Sequence, residues 1–202
     1  MPLRLSTYIN ELLTILMATV DLYRIIERMA ALIRSEERKK CTEFGIQAVH
    51  LQVLDYLFRC NRYSDTPAAL TNYLGMTKGT VSQTLLLLER KGFIKKVADL
   101  TDKRMVHLHL IAEGRAVLEK AAPNELFHKA ATILEKQYPE MQEDVYVRAL
   151  TALQKAHHSY SFGLCKTCKY FTETPDGFRC GLTKESLTQE DSEKICQEHT
   201  PV

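Results

Sequence analysis

The sequence lacks a hydrophobic run long enough to cross a membrane. Its most apolar stretch, residues 12–20, lies between Glu11 and Asp21 and is far shorter than the roughly 20 residues that a spanning helix needs. The helical pattern continues past this stretch to Ile33 without a small-residue cleavage site, which argues against a secretory signal peptide. We therefore expect a cytoplasmic protein with no membrane partner.

Motifs of the common enzyme classes are missing as well. The sequence contains no G-x-S-x-G, no phosphate-binding glycine loop and no H-E-x-x-H, so we do not expect an enzyme. The net charge is only +2, which by itself does not indicate a nucleic-acid partner. A hydrophobic share of 45% over 202 residues is large enough to bury a core, so most of the chain is expected to fold.

The centre of the sequence carries a helix-turn-helix pattern. A short helix is predicted from Pro67 to Leu74, because proline fits the first turn, where its missing N–H needs no partner. Gly75 can adopt the left-handed conformation that ends a helix, and Met76 completes a tight turn. Thr77 then caps a longer second helix.

The second helix is predicted to have one apolar and one polar face. Val81, Leu85 and Leu88 recur at i, i+4 and i+7 and should face inward. The polar positions at its start are Thr77, Lys78, Thr80, Ser82 and Gln83. Because helix-turn-helix proteins read bases with this end of the helix, we expect these side chains to contact DNA. Gln83 is the best candidate for a base contact, since its amide can pair bidentately with adenine.

A two-stranded wing is predicted after this helix. Beyond Gly92 the pattern changes to a period of two, with strands over Ile94–Val97 and Val106–Leu110 around a turn at Leu100–Arg104. From residue 77 to residue 104 there are seven basic and three acidic residues, a local charge of +4. The basic footprint therefore lies on this module.

The tip of the wing is the second expected DNA contact. Lys103 and Arg104 should reach phosphate or the minor groove beside the second helix. Asp102 is expected to orient the Arg104 guanidinium through a charge-assisted hydrogen bond.

The central stretch also shares a set of residues with a known family. These are Ala69, Leu70, Leu74, Thr77, Val81, Ser82, the run Leu88–Phe93, Asp99 and the tip Asp102, Lys103 and Arg104. In these residues the stretch resembles the winged helix of the multiple-antibiotic-resistance-regulator (MarR) family, over roughly residues 5–160. The resemblance implies a transcription regulator that binds palindromic double-stranded DNA as a homodimer. It departs from the family where Ile111 follows Leu110, since the family usually has a threonine there.

Long helices on both sides of the winged helix are expected to form the dimer interface. Residues 4–34 show a helical pattern with apolar positions on two sides, so this helix needs two partners; the simpler alternative is the core helix of a monomer. A solvated loop is predicted over Ser35–Lys40, and a scaffold helix from Ile46 to about Arg59. Further helices are predicted over 113–122, over 124–138 and from Pro139 onward. The fold class is mainly α with a small β wing.

Residues 163–202 differ in composition from the rest of the chain. We assign residues 1–162 to a DNA-binding and dimerisation domain, with the winged helix at about 46–111, and residues 163–202 to a cysteine-rich tail. About 40 residues with so few aliphatic side chains cannot bury enough surface to fold alone. A turn at residues 175–177 predicts a hairpin between Lys169–Phe171 and Phe178–Cys180. The tail therefore needs a staple.

Four cysteines are the expected staple. They are Cys165, Cys168, Cys180 and Cys196, and a C-x-x-C pair followed by two later cysteines is typical of a closed four-thiolate zinc site. A [4Fe–4S] cluster also takes four cysteines, and disulfides or free thiols are the third alternative. Metal is favoured over disulfides because no secretory signal is visible. His199, or His157 or His158, could replace one cysteine.

Other interpretations of the sequence stay open. The chain could be a redox-active iron–sulfur protein or electron carrier that uses its winged helix for protein contact, or an architectural DNA-binding protein with no effector. A regulator could respond to a small molecule or to oxidants. Cys41 and Cys60 could sense oxidants or be inert and buried. His50 is expected to be a satisfied, half-buried histidine, and His107 and His109 are expected to be exposed strand histidines.

Overall fold

The computed structural model describes residues 3–100, 102–121, 124–137, 144–157, 160–175 and 177–202, with the backbone alone for residues 3–22, 124 and 144–146. The helices are α1 (Leu3–Glu43), α2 (Ala48–Arg59), α3 (Pro67–Leu74), α4 (Lys78–Arg90), α5 (Ala112–Ala121), α6 (Asn124–Gln137), α7 (Asp144–Ala156) and α8 (Gln189–Ser192). The strands are β1 (Ile94–Ala98), β2 (Val106–Leu110), β3 (Phe171–Thr174), β4 (Gly177–Cys180) and β5 (Ser186–Leu187). The fold is mainly α-helical with a small β wing, as predicted.

The first helix is longer than the sequence indicated. The predicted loop over Ser35–Lys40 is wrong, because α1 continues unbroken to Glu43. Glutamate, arginine and lysine are good helix formers, and an ion pair of 3.1 Å between Glu36 and Lys39 spans one turn. Cys41 is only 1% exposed and anchors the end of the helix in the core. The charge run is therefore part of a continuous helix, with Arg38 and Lys39 exposed and the other four residues half-buried.

The core of the winged helix lies among α2, α3, α4 and the wing. The predicted inward face of α4 is confirmed, since Val81, Leu85 and Leu88 are at most 2% exposed. Tyr56 of α2 is the largest fully buried side chain, and its hydroxyl donates to the Ser64 carbonyl at 2.7 Å. The polar end of this tyrosine is thereby satisfied inside the core.

The helix-turn-helix follows the predicted bounds. The Thr66 hydroxyl accepts the Ala69 amide at 3.2 Å and starts α3. Gly75 ends α3 with a φ of 62°, a backbone conformation that favours glycine. The Thr77 hydroxyl accepts the Thr80 amide at 3.2 Å and starts α4. Both helices of the motif are therefore fixed by local capping.

The wing is a regular antiparallel pair closed by a tight contact at its base. In its register Ile94 lies opposite Leu110. A Cβ atom at Gly114 of α5 would lie 2.2 Å from the Phe93 carbonyl oxygen, so glycine is needed for this close approach. The helix after the wing starts at Ala112 without the threonine that is usual in the family.

The tail contains a three-stranded antiparallel sheet in the order β3-β4-β5. The predicted hairpin is confirmed, although its first strand starts at Phe171, two residues later than expected. Asp176, in the predicted turn, lies outside the described residues. Strand β5 and helix α8 were not predicted from the sequence. Phe171 and Phe178 stack across the hairpin with ring centroids 5.1 Å apart.

The last segment of the tail docks on the winged helix. Ile195 is 6% exposed and belongs to the buried cluster of the winged helix. Its amide donates to the Arg59 carbonyl and its carbonyl accepts the Asn61 amide, both at 2.9 Å. Phe162 packs edge-on against Tyr73, with centroids 5.1 Å apart. The tail thus completes a core that begins in α2.

Large apolar residues stay exposed on three long helices, each with between 38% and 62% of its surface accessible to solvent. They are Tyr23, Ile25, Met29 and Leu32 on α1, Leu126, Phe127 and Ile133 on α6, and Val147, Leu150 and Leu153 on α7. The predicted break at Pro123 and the predicted helix start at Pro139 lie outside the described residues. Among the helices that the structure describes, none is both long and apolar enough to span a bilayer.

Candidate DNA-binding surface and cysteine site

The start of α4 presents the polar side chains that the sequence singled out. Lys78, Thr80, Ser82 and Gln83 are all exposed. Thr77 is exposed too, and its hydroxyl lies 2.9 Å from that of Thr80. The free amides and the positive dipole end of a helix N-terminus favour phosphate. This end of α4 therefore combines donors for an anion with side chains able to read base edges.

A groove runs between α3, the start of α4 and the wing. It is lined by Lys78 and Ser82 of α4, by Lys96 of β1, and by Pro67 and Thr71 of α3. Lys96 also forms an ion pair of 2.8 Å with Glu89, which partly offsets its charge. Cationic side chains on α4 and β1 suit a polyanionic backbone.

Asp102 sets the geometry of the wing tip. Its carboxylate accepts the Arg104 backbone amide at 3.0 Å and the Arg104 Nε at 3.1 Å. These contacts hold the pKa of the Asp102 carboxyl below its usual range. The Arg104 side chain nevertheless stays 91% exposed, and Lys103 beside it is exposed. The structure brings Asp102 and Arg104 together at a free tip.

His107 links the wing to the residues before α3. Its Nδ1 lies 2.5 Å from Asp65 Oδ1 and its Nε2 lies 3.2 Å from Asp99 Oδ2. The hydrogen bond to Asp65 raises the pKa of His107, while burial raises the pKa of Asp65. A ring between two carboxylates favours the imidazolium, so we take the proton to reside on His107.

The expectation that both wing histidines are exposed is therefore wrong for His107. Its side chain is only 19% exposed, whereas that of His109 is 53% exposed. Asp65 lies 42 positions before His107, so no local pattern in the sequence could have paired them.

All four tail cysteines line one small cavity between the tail and the loop that joins α2 to α3. The cavity measures about 30 Å³ and is also walled by Asn61, Ser64 and Leu187. Its cysteines are Cys165, Cys168, Cys180 and Cys196. None of the six cysteines is in a disulfide. Within the described ranges, no three Cys, His, Asp or Glu side chains are already arranged to hold a metal ion. The four cysteines therefore share a cavity without forming a preassembled metal site.

Cys196 is surrounded by hydrogen-bond donors. Contacts with the Cys165 thiol, the Glu198 amide and the Asn61 and Ser64 side chains lower the pKa of Cys196 to about 6. Asn61 is only 1% exposed, and its Nδ2 faces the Cys196 sulfur without a hydrogen bond of normal geometry to that sulfur or to another acceptor. A buried N–H without an acceptor costs free energy. A negatively charged sulfur in the cavity is the acceptor that this amide fits.

His199 braces the turn that carries the first cysteine pair. Its Nδ1 lies 2.7 Å from the Ser161 hydroxyl and its Nε2 lies 2.9 Å from the Thr167 hydroxyl. Both ring nitrogens are thus engaged by the protein, which leaves none for a metal. His157 is exposed at the end of α7, and His158 lies outside the described residues.

The two remaining cysteines and His50 are core residues. Cys41 and Cys60 are 1% and 5% exposed. Burial raises the pKa of Cys41, and burial together with the charge of Asp65 raises the pKa of Cys60 to about 12. Protonated and shielded thiols react slowly with oxidants, which favours the inert interpretation. His50 is 6% exposed and accepts the Gln47 amide at 2.9 Å, as expected of a satisfied histidine.

These features define a winged-helix protein with an exposed basic recognition surface. Residues 44–105, less than a third of the chain, match the sequence model of the MarR family. The chain is 29% identical over 106 residues to the HTH-type transcriptional repressor YetL of Bacillus subtilis strain 168, which covers 52% of this chain and 62% of that one. A second relative from the same strain, the uncharacterized HTH-type transcriptional regulator YkoM, is 28% identical over 104 residues, covering 52% and 66%. The chain thus spans less than two thirds of either relative.

Two solved structures share the fold. One is Sco3205 of Streptomyces coelicolor, a MarR family transcriptional regulator solved in complex with DNA, with a TM-score of 0.52, 21% identity and coverage of 66% of this chain and 85% of that one. The other is CouR of Rhodococcus jostii RHA1 bound to p-coumaroyl-CoA, with a TM-score of 0.50, 15% identity and coverage of 67% and 91%. The chain therefore shares the winged-helix fold of these two proteins. The family match ends at residue 105 and does not include the tail.

Proposed function

We propose that this protein is a transcription regulator that binds double-stranded DNA as a homodimer and holds a structural metal ion on its four tail cysteines. The observation that carries the proposal is the exposed polar start of α4 together with an exposed arginine at the wing tip. One relative is named a repressor, and a protein of the same fold was solved with DNA. Both support the same partner for this chain.

The geometry assigns different work to the two parts of this surface. The start of α4 reads sequence, because Gln83 and Ser82 are exposed where a recognition helix meets base edges. Arg104 supplies affinity, because it reaches beyond the wing to phosphate or to the minor groove. Asp102 keeps its guanidinium in one orientation.

The test of DNA binding is the salt dependence of an Arg104→Ala variant on an operator selected from random DNA. Loss of one phosphate contact should weaken binding to all sequences and lower the slope of log affinity against log salt by about one unit. Arg90→Ala is the matched control, since Arg90 is also exposed but lies at the far end of α4, about 18 Å along the helix axis from Lys78. An unaltered slope in Arg104→Ala would reject this role, and failure to select any operator would reject the function.

The homodimer rests on the exposed apolar faces of α1, α6 and α7. Several large apolar side chains exposed on one element mark an interaction surface, and three helices outside the winged helix carry them. A palindromic operator, with half-sites about one helical turn apart, follows from two-fold symmetry. Leu150→Glu with Leu153→Glu should give a monomer by sedimentation. Ala152→Glu with Lys155→Glu, on the opposite side of α7, should leave the dimer intact.

The cysteine cavity fits a metal ion in its donor set. Four thiols line one cavity, the buried Asn61 amide faces the Cys196 sulfur, and the Thr200 amide lies 3.4 Å from the Cys168 sulfur. A C-x-x-C pair with two later cysteines is the usual donor set of a structural zinc site, so we propose Zn²⁺ and keep a [4Fe–4S] cluster, which also takes four cysteines, as the alternative. Four protein ligands would leave no open position, so the ion would be structural.

Elemental analysis of protein purified without oxygen tests this assignment. One zinc per chain is expected, whereas four irons with four sulfides and a brown colour would favour the cluster. A chain that carries a reducible cluster and selects no operator would be an electron carrier instead. A selected operator should then be challenged with CoA thioesters and with an oxidant. Release of the DNA by either would indicate a regulator with an effector, whereas no release would favour an architectural protein.

A further inference from the structure

The loop that joins α2 to α3 touches the cysteine site at one end. Ser64 is fully buried; its hydroxyl accepts the Gln197 amide at 3.0 Å and also contacts the Cys196 sulfur. Asn61 donates its amide to Ile195 at 2.9 Å. Residues 195–197 of the tail are therefore hydrogen-bonded on both sides of Cys196 to this loop, the α2–α3 loop (residues 60–66).

The same loop touches the wing at its other end. The Asp65 carbonyl accepts the Leu108 amide of β2 at 2.7 Å, and the Asp65 carboxylate faces His107 at 2.5 Å. Asp65 is 9% exposed and Leu108 is 2% exposed. Because Asp65 directly follows Ser64, a displacement of the loop at the cysteine site moves the partner of β2.

The contacts continue to the tip of the wing. His107 Nε2 lies 3.2 Å from Asp99, and the other oxygen of Asp99 accepts the Asp102 amide at 2.7 Å. Asp102 holds Arg104. Direct contacts therefore join Cys196 to Arg104 within one subunit, and Gln197 of the tail lines the same groove as Arg104.

We propose that the α2–α3 loop couples metal occupancy of the cysteine site to the position of the wing-tip arginine, with Ser64, Asp65 and His107 as its positioning residues. This inference rests on the proposed function, because the metal and the DNA are its two ends. When the metal is lost, Cys196 is free to move away from Asn61 and Ser64. The loop has few alternative arrangements in a close-packed core, so a displacement at Ser64 also displaces Asp65. Coupling of this kind does not require any movement of the dimer helices.

The experiment uses the full chain, loaded with Zn²⁺ or stripped by a chelator under reductant, and has two readouts. The first is hydrogen exchange of the Leu108 amide without DNA, referenced to the Leu54 amide in the core of α2. The second is the ratio of operator affinities with and without zinc. In the wild type, stripping should speed Leu108 exchange relative to Leu54 and weaken operator binding by roughly 5- to 150-fold, the usual range for coupled sites.

Three variants locate the break. Ser64→Ala should bind one zinc, yet lose the metal dependence of both readouts. His107→Ala should keep the response of Leu108, since the Asp65 carbonyl is untouched, and reduce the operator ratio to below about twofold. His109→Ala is the matched control, because this exposed histidine of the same strand lies 3.8 Å from Asp65. It should match the wild type.

Each outcome decides between the two proposals. A wild type that binds zinc and operator independently would overturn the coupling and leave the proposed function intact. Full metal dependence of operator binding in His107→Ala would show that the signal takes another route. If no operator is bound at all, the proposed function fails, and the zinc response of Leu108 exchange alone still confirms or rejects the link between the cysteine site and the wing.

Discussion

The winged helix and the tail are held together by different means. The winged helix buries Leu54, Leu70 and Leu88 completely, and apolar burial of this kind supplies most of the stability of a small domain. Among the described residues of the tail, the buried apolar side chains are Cys165, Leu187 and Ile195. Ile195 belongs to the core of the winged helix. A segment with so little apolar surface depends on the core of its neighbour, and in the proposed function the metal ion on its four cysteines supplies the remaining stability.

The strongest way to break this comparison is to remove the first cysteine pair. Cys165→Ser with Cys168→Ser should abolish metal binding and expose the tail to protease, because ligand binding and folding are coupled in small metal modules. The winged helix should remain folded by circular dichroism. Lys166→Ser with Lys169→Ser changes exposed residues of the same segment and should keep both metal and protection. Full metal content in the cysteine variant would mean that the four-cysteine site is wrong.

A single isoleucine tests how far the tail supports its neighbour. Ile195→Ala should lower the free energy of unfolding of the metal-loaded protein by about 2 to 4 kcal/mol, because it leaves a cavity in the shared core. Denaturant unfolding followed by helix content measures the change. Leu182→Ala, at a tail position that is 44% exposed, should cost less than about 0.5 kcal/mol. Equal effects of the two changes would show that the docking seen at Ile195 contributes little.

A glutamine substitution tests whether sequence reading belongs to the winged helix alone. Gln83→Ala should relax discrimination at one base pair per half-site by about 1 to 3 kcal/mol. The measurement is binding to an operator library randomised at each position. Gln189→Ala, in the exposed part of α8, should leave the preference unchanged. A change in the tail that shifts base preference as much as Gln83→Ala would contradict the division of labour.

The smallest expected effect is a pH dependence in the wing. The pKa of His107 is raised above its ordinary value of 6.5, so its contact with Asp65 stabilises the fold below that value and is lost as the pH rises through the raised pKa. The pKa of Asp65 is raised above 3.8 by burial, which also makes stability fall with rising pH, in a more acidic window. The free energy of unfolding of the wild type should therefore fall more steeply above pH 6.5 than that of His107→Ala. Parallel curves would show that folding leaves the pKa of His107 unchanged.

Local patterns were sufficient for the winged helix. Pro67 and Gly75 predicted both ends of α3, and Thr77 predicted the start of α4, because each acts on its own turn. Alternation predicted the wing because one face of each strand is buried. The polar start of α4 could be read from helical periodicity alone, and the structure leaves it exposed.

Local patterns failed where contacts span the chain. Ser64 and Gln197 are 133 positions apart, so neither the docking of the tail nor the donors around Cys196 could be read from spacing. His107 seemed exposed because its partner Asp65 belongs to another element. The charged run after residue 34 seemed a loop because composition does not tell a charged helical segment from a break, and burial of Cys41 decides the matter.

The seat of Ile195 also sets an order of events during synthesis. This residue lies 77 positions after Leu118, another member of the same core cluster. At about 5 to 20 residues per second, a ribosome needs roughly 4 to 15 seconds to cover that distance. For this interval a newly made winged helix presents an open apolar seat beside the end of α2. We expect this seat to be open to chaperone binding in a nascent chain until the last segment of the protein is made and covers it.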